Sequence, residues 1–288
     1  MLAREQMGAD ALFVATPATR ISEFTPGIEG PAVDAAGNVY AVNIYRQGTI
    51  GKLTPAGECS LFVSLPDDSV GNGIRFGRDG RMFIADYVNH NIFVCNPDGS
   101  DLKVFAHGDG MNQPNDLAIT STGVLYASDP AWGAGTGQLW QINTDGTVIL
   151  AAPDLGTTNG IEVSPDDKTL WVTESNERRV YAYNIHETGN LTDKRLVYEF
   201  PDFGMDGMRC DVDGNLYLTR HRKGTVVKLS PQGEILNEVD VLGTRPSNIC
   251  FGGPDGCTAY VTEVDYGRLV QFRVDRPGLE WQRLRDAQ

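Results

Sequence analysis

The sequence predicts an all-β fold: a six-bladed β-propeller with four antiparallel strands per blade. Three observations predict it. A short strand-forming segment headed by one small polar residue recurs six times, as EGPAV (29–33), NGIRF (72–76), NDLAI (115–119), NGIEV (159–163), DGMRC (206–210) and SNICF (247–251). The heads Glu29, Asn72, Asn115, Asn159, Asp206 and Ser247 stand 43, 43, 44, 47 and 41 residues apart, the period of a propeller blade. Each unit also holds further β-rich runs separated by hairpin turn residues, enough for four strands.

In the first unit the opening strand is followed by a hairpin partner in DAAGNVYAVN (34–43), a third strand GTIGKL (48–53) and a more polar fourth, CSLFVSL (59–65). The second repeats this with GRDGRMFIAD (77–86), NIFVCN (91–96) and LKVFAH (102–107). The third has TSTGVLYASD (120–129), QLWQIN (138–143) and TVILAA (147–152), and the fourth SPDDKTLWVTE (164–174), RVYAYNI (179–185) and RLVYEF (195–200). In the fifth, DVDGNLYLTR (211–220) precedes GTVVKL (224–229); its Asp211-Val-Asp213-Gly-Asn215 start resembles a calcium loop but runs straight into a strand, so it reads as a hairpin turn. The sixth has GGPDGCTAYVTE (252–263) and RLVQFRV (268–274). Its outer strand has two candidates, TRISEF (19–24) from the N-terminal extension 1–24 and LEWQRL (279–284). The repeat fills the chain without a Pro/Gly/Ser linker, so residues 1–288 read as one domain.

Composition narrows the function. A formal net charge of −14 argues against nucleic acid, which needs clustered Lys and Arg, and against acidic membranes. No apolar run spans a bilayer, and the first residues lack the apolar core of a secretion signal. Five cysteines without metal-type spacing suit a reducing, cytoplasmic location. GxSxG, HExxH, P-loop and dinucleotide-binding patterns are absent.

Equivalent positions of all blades face one axis, so the six heads become a ring of oxygen donors. A carboxylate at the head of a buried strand needs compensation, and no Lys or Arg stands in the column to compensate Glu29 and Asp206. A hard divalent cation would do so, held by these carboxylates and by Asn carbonyl oxygens. With no His or Cys in the ring, tetrahedral zinc is disfavoured. A cation with an open position is a Lewis acid, and Asp206 beside it could activate water. Strand ends around the same mouth add Asn43, Tyr45, Asp129, Trp132, His221 and Asn248 as pocket candidates.

Glu29-Gly30-Pro31, Pro114-Asn115-Asp116, Ser128-Asp129-Pro130, Asn159-Gly160, Asp206-Gly207-Met208 and Phe251-Gly252-Gly253-Pro254-Asp255 together resemble the gluconolactonase family. That family includes senescence marker protein, luciferin-regenerating enzyme and, more distantly, diisopropyl fluorophosphatase. The resemblance implies a propeller with one catalytic divalent ion, usually Ca²⁺, in its channel, and hydrolysis of a sugar lactone to the aldonic acid. It implies Glu29, Asn159 and Asp206 as metal ligands, Asn115 as a further ligand or substrate contact, and Asp206 as general base. Asn72, Asn115, Gln113, Asp129, His221 and Asn248 are then the expected substrate contacts. Gln113 stands where some sugar-lactone members carry Arg. The expected cofactor is Ca²⁺, with Mg²⁺, Mn²⁺, Fe²⁺ or Zn²⁺ as the other divalent possibilities, and the expected partner is a small lactone. Organophosphate or ester hydrolysis at the same site, and a binding propeller with a structural metal, are the rival readings.

Overall fold

The computed structural model describes residues 11–287. Its strands form six four-stranded antiparallel sheets. In chain order the blades are Phe24–Ser64, Gly71–His107, Leu117–Leu155, Thr158–Glu199, Met208–Asp240 and Pro246–Arg273. Each of the first five is an up-and-down meander whose first strand is innermost. The fifth blade's outer strand, Ile235–Asp240, has no counterpart among the strands read from the sequence.

The outer strand of the sixth blade is Thr16–Pro17, paired antiparallel with Val270 and Gln271. The chain therefore closes its ring with a strand from before the first blade, upstream of the segment 19–24. The other candidate, 279–284, is helical: Leu279–Asp286 is an α-helix. Its Leu, Glu, Gln and Arg residues favour helix, and Glu280 in the first turn with Arg283 and Arg285 in the last complement the helix dipole.

Apolar burial is divided among the blade interfaces. Tyr40, Ile50 and Ile84 pack between blades one and two; Ala85, Leu117 and Trp140 between two and three. The pattern continues round to Phe24, Val33, Cys250 and Leu269, which join blades six and one. Each sheet thus packs apolar side chains against both neighbouring blades, and a polar seam runs along the axis.

Register shifts follow the column residues in four blades, between Glu29 and Ala32, Gly71 and Ile74, Thr158 and Ile161, and Pro246 and Asn248. Such bulges break the two-residue alternation of a strand, so the third residue after the head can also reach the axis. Arg75 accordingly donates to the carbonyls of Leu117 and Ile161 in blades three and four. Arg209 bonds Asp116 at 2.9 Å.

The helix Leu279–Asp286 lies across the end of the axis beneath this arginine layer. Glu280 accepts hydrogen bonds from Arg75 and from the Phe76 backbone N–H, at 3.2 and 2.9 Å. Arg283 donates to the carbonyls of Ile119 and Ser164 and to Asp167.

Candidate active site

The column glycines decide how closely the inner strands approach. Sequence alone allows Asn72-Gly73, Asn159-Gly160 and Asp206-Gly207 to be turns, but Gly73 and Gly160 lie inside inner strands and Gly207 directly precedes one. Their N–H groups donate to the next blade's column carbonyl: Gly73 to Asn115 at 2.8 Å, Gly160 to Asp206 at 3.0 Å, Gly207 to Ser247 at 2.7 Å. A Cβ at Gly207 would fall 2.0 Å from Asn248 Cγ, and one at Gly160 2.5 Å from the Asp206 carbonyl oxygen. Glycine is required because blades touch backbone to backbone here. Thr173 and Thr219 hydroxyls bridge the same carbonyls.

This ring opens onto two adjoining cavities. One, of about 340 Å³, is lined by Glu29, Asn43, Asn72, Asn115 and Ser247. The other, of about 440 Å³, is lined by Asn159, Arg178, Phe203 and Arg222. Trp132, Asp206 and His221 line both. All six column residues, four of them the expected metal ligands, therefore face one mouth.

Burial pushes the Glu29 carboxyl up to about 7 against the pull of the Gly30 N–H, and the charge of Asp116 pushes it further. Burial also raises Asp206 well above the ordinary carboxylate range, and the charge of Glu29 adds to it. The Asn159 amide acts against these two and lowers Asp206, while buried Asn159 Oδ1 has no hydrogen-bond partner. His221 Nδ1 is 3.5 Å from Asp206 Oδ2. Burial lowers the His221 pKa, against a hydrogen bond to Pro246 that raises it.

The layer below was not read from the sequence. Arg209 bonds Asp116 and Asn248, and Arg75 pairs with Glu162 and Glu280, both at 3.2 Å. The column holds no cation, but these arginines lie just beneath it. They face Asp116, Glu162 and Glu280, with Glu29 and Asp206 above: five carboxylates to two guanidiniums. Among the described residues no three His, Cys, Asp or Glu side chains assemble as a metal centre. The donor set that fits a cation is a mixed one, two carboxyls raised chiefly by burial and an amide oxygen without a donor. Hard oxygens and surplus negative charge suit a hard divalent ion.

Several expected contacts lie elsewhere. Asp129 is fully buried, with its oxygens taken by the backbone N–H groups of Asn112 and Gln113 and by Trp140 Nε1. It fixes the loop before Asn115 and leaves no oxygen for a ligand. Gln113 is half-buried there and lines neither cavity. Asn248 is not on the rim but one layer down, buried, and its Oδ1 accepts from Arg209 and from the Ile249 N–H. The Asn43 side chain is spent on Gly27 and Gly48, and Tyr45 points to solvent. Asp211 caps a turn by accepting from the Asp213 and Asn215 N–H groups, as a hairpin requires.

The family model described as the SMP-30/gluconolactonase/LRE-like region matches residues 28–265. The chain is 27% identical over 277 residues to a gluconolactonase of Zymomonas mobilis, covering 84% of this chain and 77% of that one. It is 28% identical over 199 residues to a pentonolactonase of Haloferax volcanii, 68% of each chain. It is 25% identical over 298 residues to diisopropyl-fluorophosphatase of Loligo vulgaris, 92% of each. A gluconolactonase structure from Xanthomonas campestris superposes with a TM-score of 0.78 at 21% identity, over 91% of this chain and 89% of that one. A calcium-binding regucalcin from Agrobacterium tumefaciens has the same score and identity, over 91% and 95%. Those two structures share the fold. The family match takes in every column residue from Glu29 to Ser247, and the chain belongs to the SMP-30/gluconolactonase/LRE-like family.

Proposed function

We propose that this protein is a divalent-cation-dependent lactonase that opens a small sugar lactone. The observation that carries the reading is that Asp206 lines both cavities, beside Glu29 in one and beside Asn159, whose buried Oδ1 has no partner, in the other. Relatives named gluconolactonase and pentonolactonase support the substrate class. Glu29, Asn159 and Asp206, with Asn115 beside them, would hold the cation; Ca²⁺ suits this oxygen set, and Mg²⁺, Mn²⁺, Fe²⁺ and Zn²⁺ are the other candidates. When bound, the cation would supply Lewis acidity toward the lactone carbonyl.

Asp206 accepts a proton from the attacking water, whose oxygen bonds to the carbonyl carbon. The ring C–O bond then breaks, and the proton passes to the departing ring oxygen, leaving a hydroxy acid. His221, 3.5 Å from Asp206, is within reach to relay that proton. Asn72 and Asn115 offer amides to the substrate hydroxyls, while Asn248, Gln113 and Asp129 act by positioning. A lactone panel read by pH indicator, with chelator and metal add-back, tests this. Full turnover in chelator, or in both Asp206→Ala and Glu29→Ala, rejects it.

Phosphotriester hydrolysis is the second reading, supported by the match to a diisopropyl-fluorophosphatase along 92% of both chains. Aryl esters and phosphotriesters in the same panel separate the two. We further infer one domain, since every sheet contributes to the same axis. We also infer a cytoplasmic location, since all five cysteines are unpaired.

A further inference from the structure

The two cavities at the mouth differ in charge. In the smaller, the charged side chains are Glu29 and Asp206. In the larger, Asp206 is the sole carboxylate, and Arg178 and Arg222 line the same space with Asn176 and Phe203. Both arginines are exposed. Arg178 anchors its Nε on the Phe200 carbonyl at 3.2 Å, and neither arginine has a carboxylate partner among the described residues. Their chain neighbours do: Arg179 pairs with Glu199 at 3.0 Å and Lys223 with Glu238 at 2.9 Å. In a chain of net charge −14, pairing that passes over these two positions leaves a local cationic spot.

Arg178 and Arg222 sit in the tight turns between the second and third strands of their blades, with φ of 60° and 70°. The turn position of Arg178 is Gly224 in blade five, Gly267 in blade six and His90 in blade two, all with positive φ.

We propose that the larger cavity is a subsite for an anionic substituent, so that the lactone opened here carries a carboxylate, sulfonate or phosphate at the end away from its carbonyl. This rests on the lactonase reading above. The guanidinium fork matches such oxyanions with paired, charge-assisted hydrogen bonds. Trp132, lining both cavities, lies where the sugar ring would cross from the reacting end to the anionic end.

The test compares D-glucono-1,5-lactone with its 6-phosphate on the metal-loaded enzyme. The ratio of kcat/KM values should favour the phosphorylated lactone about tenfold or more at low salt, and shrink as ionic strength rises, because both arginines are exposed. Arg178→Gln and Arg222→Gln should each lower that ratio about tenfold, and Arg222→Lys should lose part of it. A ratio near one, or a ratio indifferent to both Gln variants, overturns the proposal. Calorimetric titration with gluconate and 6-phosphogluconate decides separately from turnover. Tighter binding of the phosphorylated acid, lost in Arg222→Gln, upholds the subsite, and equal binding rejects it. If neither lactone is hydrolysed, the lactonase reading fails and this titration still decides the subsite.

Discussion

His221 Nδ1 faces Asp206 Oδ2 across 3.5 Å and has no hydrogen-bond partner of its own. A buried ring nitrogen left open beside a carboxyl with a raised pKa is an arrangement suited to proton transfer. His221→Asn should lower kcat by roughly 10²-fold, the lower end of a general acid–base contribution, with KM little changed. Asp206→Asn should lower it by roughly 10⁴-fold. Steady-state lactonase kinetics, with circular dichroism to confirm the fold, check both.

Removal of the divalent ion should lower the melting temperature as well as the rate. The ion would offset repulsion between Glu29 and Asp206 and satisfy Asn159 Oδ1. Calorimetry with chelator and then metal should show a reversible drop, and Asn159→Ala should shrink it.

Metal-free protein should lose stability as pH rises. Burial lifts Glu29 from its ordinary 4.5 to about 7, so the fold favours its protonated form. That contribution is complete below pH 4.5 and is lost as pH climbs through about 7. Melting curves in chelator across this window should decline, and Glu29→Gln should flatten the decline.

Glu280→Ala leaves Arg75 without one of its two carboxylates and frees the Phe76 N–H. Breaking a buried pair from one side costs about 3 kcal/mol or more, and the partial exposure of Glu280 argues for the lower figure. Urea denaturation measures it. A loss below about 0.5 kcal/mol would place this contact among ordinary surface pairs.

Gly207→Ala puts a methyl group 2.0 Å from Asn248 Cγ, directly beside Asp206. Overpacking of this type costs roughly 1–3 kcal/mol. Activity should fall with stability, since the carbonyl ladder that sets Asp206 must spread. The same change at Gly57, where a Cβ meets nothing within 4 Å, should lower stability only through its positive φ and leave the rate alone.

The blades were legible in the sequence because their period is long and their turns are strong, so RVYAYNI, for example, coincides with the strand Arg179–Ile185. The ring of oxygen donors was legible because a propeller turns one repeated position into one place in space. Arg75 and Arg209 were missed for a physical reason. At Arg75 a bulge between Gly71 and Ile74 shifts the strand's parity, and simple alternation assigns it to the wrong side; Arg209 stands three residues after Asp206 as Arg75 does after Asn72, in a blade whose regular pairing begins only at Met208. Asp129 was misjudged because a strand-end Asp in the family motif can serve a loop as well as a ligand. The helix Leu279–Asp286 was ambiguous because eight residues with only Leu279 and Leu284 buried carry little periodicity. Arg178 and Arg222 carry no motif, and only their missing partners single them out.

Because Glu280 and Arg283 brace the helix across the far end of the axis, the wheel is a cul-de-sac instead of a tunnel. A lactone entering to react would leave by the same doorway, and the spent acid, bearing one more negative charge than its precursor, would pass Arg178 and Arg222 wherever it backs out through the larger cavity. Traffic at that threshold would then share with the bond-breaking beneath it in setting the pace of the cycle at high supply.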